Sequence, residues 1–132
     1  MTASVALLYA GLLALLLISL SVRIVVLRRR HRIGIGSGDR PELARAVRAH
    51  ANFCEYVPIA LILLVLLDMT PAVSNGLIHT LGGMLVLGRL LHAIGLSRSA
   101  GTTFGRLIGS LLSWLMIVAA ALYGIWLGVG SA

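Results

Sequence analysis

A single domain of four membrane-spanning helices, an all-α bundle, is the fold class the sequence predicts, and three observations predict it. The 132-residue chain is 59% hydrophobic and only 11% charged, with a mean hydropathy of +1.02, which lies outside the soluble range. Four apolar runs, about 3–27, 41–68, 72–96 and 103–129, are each long enough to cross ~30 Å of hydrocarbon. The basic residues, all Arg, gather beside two of the three connections. A net charge of +7 on a soluble domain would raise nucleic acid as a partner. Here no stacking platform or recognition helix accompanies the charge, so it reads as topology. Positive loops stay in the cytoplasm, which predicts 28–40 and 97–102 inside and both termini outside.

The first span is too long for a signal-peptide core and stops at Arg28, Arg29, Arg30, His31 and Arg32, a charge run that anchors a cytoplasmic end. Arg23 lies about a turn inside that end, where it can snorkel to the headgroups or point inward. Ile33–Arg40 follows as a glycine-rich loop. Gly34, Gly36 and Gly38 imitate a phosphate loop, but no strand precedes them and no Lys follows. The segment reads as a turn, with Asp39 and Pro41 opening the next helix.

The second span runs from Pro41 to Asp68. At 1.5 Å per residue it is about 42 Å long, so its first turns stand at headgroup level. Pro58 removes a backbone donor and predicts a kink. Residues 68–71 turn the chain on the opposite face. The third span carries Gly82, Gly83 and Gly88 for close packing, and Leu85, Arg89, His92 and Leu96 form one stripe on it. His79, near its far end, reads as structural or interfacial. The fourth span has Arg106 in its first turn, small-residue pairs at Gly105/Gly109 and Gly124/Gly128, Trp114 at mid-span, and Tyr123 and Trp126 in an interfacial belt. Gly82, Gly105 and Gly109 are the small residues expected to serve packing between subunits.

The candidate site lies on the second span. With Arg45 at 0° and about 100° per residue, Arg48 falls near 300°, Asn52 near 340°, Glu55 near 280° and Tyr56 near 20°. This is one polar stripe, expected to face the bundle interior. His50 and Cys54 fall on the far side. Charges within a span need partners. One reading is a buried Arg–Glu network that fixes helix register, with Arg89 as the partner of Glu55. The other is a ligand site: Arg forks take carboxylates, Glu55 takes an ammonium and Asn52 serves either, which suits a small zwitterion. Four His without paired carboxylates predict no metal site. The single Cys, Cys54, permits no intrachain disulfide and reads as a packing residue with nothing on its face to stabilise a thiolate.

The run Arg45-x-x-Arg48-Ala49-His50-x-Asn52-x-x-Glu55, followed at the cytoplasmic end of the third span by Gly88-Arg89-x-x-His92-Ala93-x-Gly95, resembles the MAPEG superfamily, the membrane-associated proteins in eicosanoid and glutathione metabolism. The chain looks most like its small bacterial members. The resemblance implies a homotrimer in a lipid bilayer, here the bacterial inner membrane, with glutathione held between adjacent subunits near the cytoplasmic face. It implies that Arg48, Asn52, Glu55, Tyr56, Arg89 and His92 hold glutathione, with Arg23 or Arg28 contributed by a neighbour. Arg106, or in second place Arg98, would face the thiol. The implied function is a glutathione-dependent transferase or peroxidase acting on lipophilic electrophiles or hydroperoxides. One departure bears on activity: many family enzymes carry a Tyr one turn after the His92 position, and this chain has Leu96 there. The same superfamily contains a non-catalytic lipid-binding member, so a membrane lipid- or glutathione-binding protein is the alternative. A transporter is disfavoured, because the spans show no paired broken helices.

Overall fold

The computed structural model describes residues 4–99 and 101–130. Among them are four helices: α1 (Ser4–His31), α2 (Pro41–Asp68), α3 (Asn75–Arg98) and α4 (Phe104–Gly130). All four are long and apolar enough to cross a membrane, as expected. The expected start of the first span at Ala3, and Ala100 in the second Arg-bearing loop, lie outside the described residues. α2 and α3 form the centre of the bundle, each packed on the three other helices, while α1 and α4 flank them without touching.

The ends of the helices follow local chemistry. α2 begins with Pro41 in its first turn after Arg40, where a missing N–H costs nothing. Asp39 does not cap it but adopts a φ of 56° in the loop. The helix continues unbroken past Pro58. α3 starts later than the apolar run suggests, because Ser74 caps it by accepting from the Leu77 N–H at 3.3 Å. Thr103 does the same for α4, accepting from the Arg106 N–H at 3.3 Å. At the opposite face the Asp68 carboxylate, at the end of α2, accepts the Ala6 N–H at 2.8 Å, so α1 is capped from another helix.

The core runs along the bundle axis, with Leu13, Leu64, Ile78, Leu85 and Met116 wholly enclosed. Outward-facing residues are just as apolar: Leu7, Leu15, Leu122 and Val129 are 63–74% exposed, a surface that only hydrocarbon solvates well. A smaller cluster of Leu27, Leu43 and Ala46 sits under the glycine-rich loop, and Ile33 packs against it.

Glycine sets the closest approaches. A Cβ on Gly109 would stand 2.5 Å from both the Gly88 carbonyl oxygen and the His92 nitrogen. A Cβ on Gly88 would stand 2.9 Å from the Gly109 carbonyl. Further along, Gly95 meets the Arg106 nitrogen and the Thr103 hydroxyl, each at 2.6 Å from its would-be Cβ. Gly82 is covered by the Tyr9 ring. The expectation that Gly82, Gly105 and Gly109 serve contacts between subunits is thus corrected: all three are used inside the protomer, Gly105 against the Leu91 carbonyl. Gly83, Gly124 and Gly128 have open space where a Cβ would go.

Candidate functional site

The site begins with the α3–α4 crossing. Backbone contact at Gly88 and Gly109 brings Arg89 within reach of α4, where its Nε donates to Ser113 Oγ at 2.9 Å and its Nη2 to the Gly109 carbonyl at 3.4 Å. Ser113 is fully buried and itself donates to the Gly109 carbonyl at 2.9 Å. On the other side Arg89 Nη1 donates to Asn52 Oδ1 of α2 at 2.8 Å, and the guanidinium lies 5.6 Å from the centre of the Tyr56 ring, within cation–π range. One guanidinium, only 2% exposed, thus joins three helices. Burying a charge is costly unless its donors are met; these contacts engage each of the three guanidinium nitrogens and three of the five N–H donors.

Arg89 also fixes the Asn52 amide. With Oδ1 accepting from Arg89, Nδ2 is left to donate, and it reaches Glu55 Oε2 at 3.4 Å. Glu55 is held in turn by a two-pronged pair with Arg48, Nη1 to Oε1 at 2.9 Å and Nη2 to Oε2 at 3.4 Å. The result is a continuous polar chain from buried Arg89 through Asn52 to Glu55 and Arg48 at the surface of the protomer. Glu55 is therefore the partner of Arg48 and Asn52, not of Arg89 as one sequence reading had it.

The stripe also faces differently from expectation. Arg48 and Glu55 are 56% and 46% exposed, so they look out of the bundle. The buried residues of α2, among them Ala49, Phe53, Val57, Ala60 and Leu64, centre near 80° on the angular scale used above, roughly opposite Glu55 and Arg48. Asn52 and Tyr56, on the flank, are the members that reach inward. His92 is buried on the same face of α3 as Leu85, Arg89 and Leu96. Tyr56 also leans on Trp114 of α4, ring centres 6.4 Å apart. Leu96 belongs to the hydrophobic core.

Five α2 and α3 residues named from the sequence, Arg48, Asn52, Glu55, Tyr56 and Arg89, thus come together directly, while His92 is buried about a turn further along α3 and Arg106 stands at the start of α4 with its backbone against Gly95. Arg23 and Arg28 are engaged elsewhere in the protomer. Arg23 Nη1 donates to Ser97 Oγ of α3. Arg28 Nη1 donates to the carbonyls of Gly34 at 3.0 Å and Gly36 at 3.1 Å and reaches that of Ile33 at 3.5 Å, binding the glycine-rich loop to α1. Sequence reasoning missed Ser113; a hydroxyl one turn after Gly109, on the same face of the helix, was the available signal. Cys54 and His50 share the far side of α2 as their spacing predicts: the His50 ring lies one turn before the thiol, Nδ1 at 3.9 Å from Sγ, with Nε2 at 3.0 Å from Ser21 Oγ of α1.

The MAPEG family profile matches residues 6–126. The chain belongs to the MAPEG family. Its relatives include the inner membrane protein YecN of Escherichia coli K12 and of E. coli O6:H1, each 35% identical over 119 residues, covering 90% of this chain and 88% of the relative. This MAPEG protein is an integral membrane protein of four helices, and its family ties it to glutathione-related function at the membrane. The match spans the whole polar chain from Arg48 to Arg89 and reaches Arg106 and Ser113.

Proposed function

We propose that this MAPEG protein is an inner-membrane, glutathione-dependent transferase or peroxidase acting on lipophilic electrophiles or hydroperoxides, and that it works as a homotrimer with both termini outside the cytoplasm. The observation that carries the reading is the outward-facing Arg48–Glu55 pair, tied through Asn52 to buried Arg89. An ion pair half exposed on the apolar wall of a single protomer is poorly solvated in a bilayer. A second subunit and a zwitterionic ligand would together give it a polar enclosure.

The donor set fits glutathione. Arg48 can fork a ligand carboxylate, Glu55 can accept an ammonium, and the Asn52 amide is held at a fixed orientation between them. Arg89 acts through Asn52, and its bonds to Ser113 and Gly109 hold it still. When bound, glutathione supplies a cysteine thiol. Arg106 is the group proposed to face that thiol: it stands in the first turn of α4, its backbone against Gly95 of α3, where the helix N-terminus adds positive field. A guanidinium in a dry site favours the anionic form of a thiol.

A specific observation keeps a second reading, a non-catalytic lipid- or glutathione-binding protein. Leu96 is a core hydrocarbon side chain at the position where many family enzymes place a phenol, so no hydroxyl assists from there. Two measurements separate the readings. Calorimetry on the detergent-solubilised trimer tests glutathione binding, and turnover of an aryl halide with glutathione tests chemistry. Binding with turnover supports the enzyme, glutathione binding alone supports the second reading, and no binding by the intact trimer overturns the enzyme and leaves the second reading as a lipid-binding protein only.

A further inference from the structure

We propose that the cleft between α1 and α3, at the end of the bundle carrying the Arg-rich loops, is a binding site for an anionic phospholipid of the surrounding leaflet. The cleft has a volume of about 280 Å³ and is walled by Leu16 and Leu20 of α1 and by Leu90 and Ile94 of α3. At the end toward the loops it is lined by Arg23, Ser97 and Arg98, largely through their carbon atoms. The two chemistries occur in the order a phospholipid needs, hydrocarbon deeper in the membrane and cations at headgroup level.

Several observations make the ligand an anion with an apolar tail. Neither α1 nor α3 carries an acidic side chain, so the two guanidiniums meet no carboxylate on the walls that bear them. Arg23 is turned to Ser97, whose hydroxyl oxygen accepts and whose hydrogen can still be donated to a phosphate oxygen. Arg98 is exposed in the last turn of α3, and Arg29 and Arg30 are exposed about two turns beyond Arg23. Leu90 and Ile94 are 40% and 47% exposed, leaving the wall open to an acyl chain. A helix is about 10 Å across, so a cleft of this size admits an acyl chain rather than a helix of a second copy. Basic clefts between spans on the cytoplasmic side are suited to anionic headgroups, and the cytoplasmic leaflet supplies them. The proposal rests on the cytoplasmic placement of the Arg-rich loops; Arg23 and Arg98 are also offered to glutathione, so it is the apolar walls of Leu16, Leu20, Leu90 and Ile94 that set the two sites apart.

The test is native mass spectrometry of the intact membrane assembly, purified in mild detergent and titrated in parallel with phosphatidylglycerol, phosphatidylcholine and inorganic phosphate. The expected result is retention of phosphatidylglycerol over phosphatidylcholine, undisturbed by millimolar phosphate. Arg23→Gln and Arg98→Gln should each weaken retention about fivefold and together about 25-fold, while Arg23→Lys and Arg98→Lys keep most of it. Ile94→Trp, which fills the cleft without touching a charge, should abolish the preference while leaving glutathione calorimetry at the wild-type value. Equal retention of the two lipids, or a preference that survives both the double Gln variant and Ile94→Trp, overturns the proposal. So does displacement by phosphate alone, which would show a simple anion site. A change of oligomeric state in Ile94→Trp also overturns it, since the cleft would then be a contact between copies.

Discussion

Replacing Gly109 by Ala tests the crossing on which the whole polar chain depends. The added methyl would lie 2.5 Å from the Gly88 carbonyl oxygen and from the His92 nitrogen, and 2.9 Å from the His92 Cα. Each obstacle is backbone, so no side-chain rotation relieves it. Ordinary contact begins near 3.4 Å, and α3 must therefore withdraw from α4 by most of an ångström. Overpacking of this kind costs about 1–3 kcal/mol, partly offset by the better helix propensity of Ala, worth up to ~1 kcal/mol. The same withdrawal stretches the Arg89–Gly109 bond, already 3.4 Å, beyond hydrogen-bond range. Thermal unfolding followed by circular dichroism in detergent should show a clearly lower midpoint for Gly109→Ala, and glutathione calorimetry a weaker affinity. Gly124→Ala, with nothing within 4 Å of the added methyl, is the control and should be neutral or slightly stabilising. If Gly109→Ala melts with Gly124→Ala, the backbone contact is not what holds the helices, and the account of Arg89 falls with it.

Other perturbations separate the remaining roles. Arg48→Ala and Glu55→Ala should each weaken glutathione binding by about tenfold or more in calorimetry, since a charge-assisted hydrogen bond contributes about 1.5–3 kcal/mol. Arg106→Ala should leave binding largely intact but reduce the ultraviolet thiolate absorbance of bound glutathione, the thiolate-to-thiol ratio falling about tenfold for each 1.4 kcal/mol of lost stabilisation; an unchanged signal would move the role to Arg98 or Arg89. Arg28→Ala releases the carbonyls of Gly34 and Gly36, so limited proteolysis should cut within 33–38 faster than in the wild type, while the melting midpoint moves little. In a Cys54→Ala background, Ser37→Cys should react with an impermeant maleimide only from the cytoplasmic side; labelling from the outside alone would invert the topology.

The spans were legible because hydrophobic length is a local property: each of the four runs crosses a bilayer by itself. The membership of the polar stripe was equally legible, since 100° per residue aligns Arg48, Asn52, Glu55 and Tyr56 whatever surrounds them. Its facing was not. Rotating α2 about its axis preserves the stripe, and only the fit of Ala49, Phe53 and Val57 against neighbouring helices decides that Glu55 and Arg48 look outward. Partner choice was hidden for a related reason. Arg89 could reach Glu55 or Asn52 on spacing alone, and the Gly88–Gly109 approach, a contact between distant segments, turns it toward Asn52 and Ser113. Asp68 and Arg28 read as ordinary charges at span ends because their targets are backbone groups, which no side-chain pattern advertises.

The cap that Asp68 places on α1 bears on how the chain is assembled in the membrane. The Ala6 N–H is among the donors that a helix start leaves without an internal partner, and its acceptor arrives sixty-two residues later. While the first span stands alone, that donor depends on water or headgroups. The tie closes only when the second span has crossed and delivered its carboxylate to the same side. It is therefore a latch on a finished hairpin rather than a seed for one, and it makes the first two spans a unit whose completion is registered at the face opposite the Arg-rich loops.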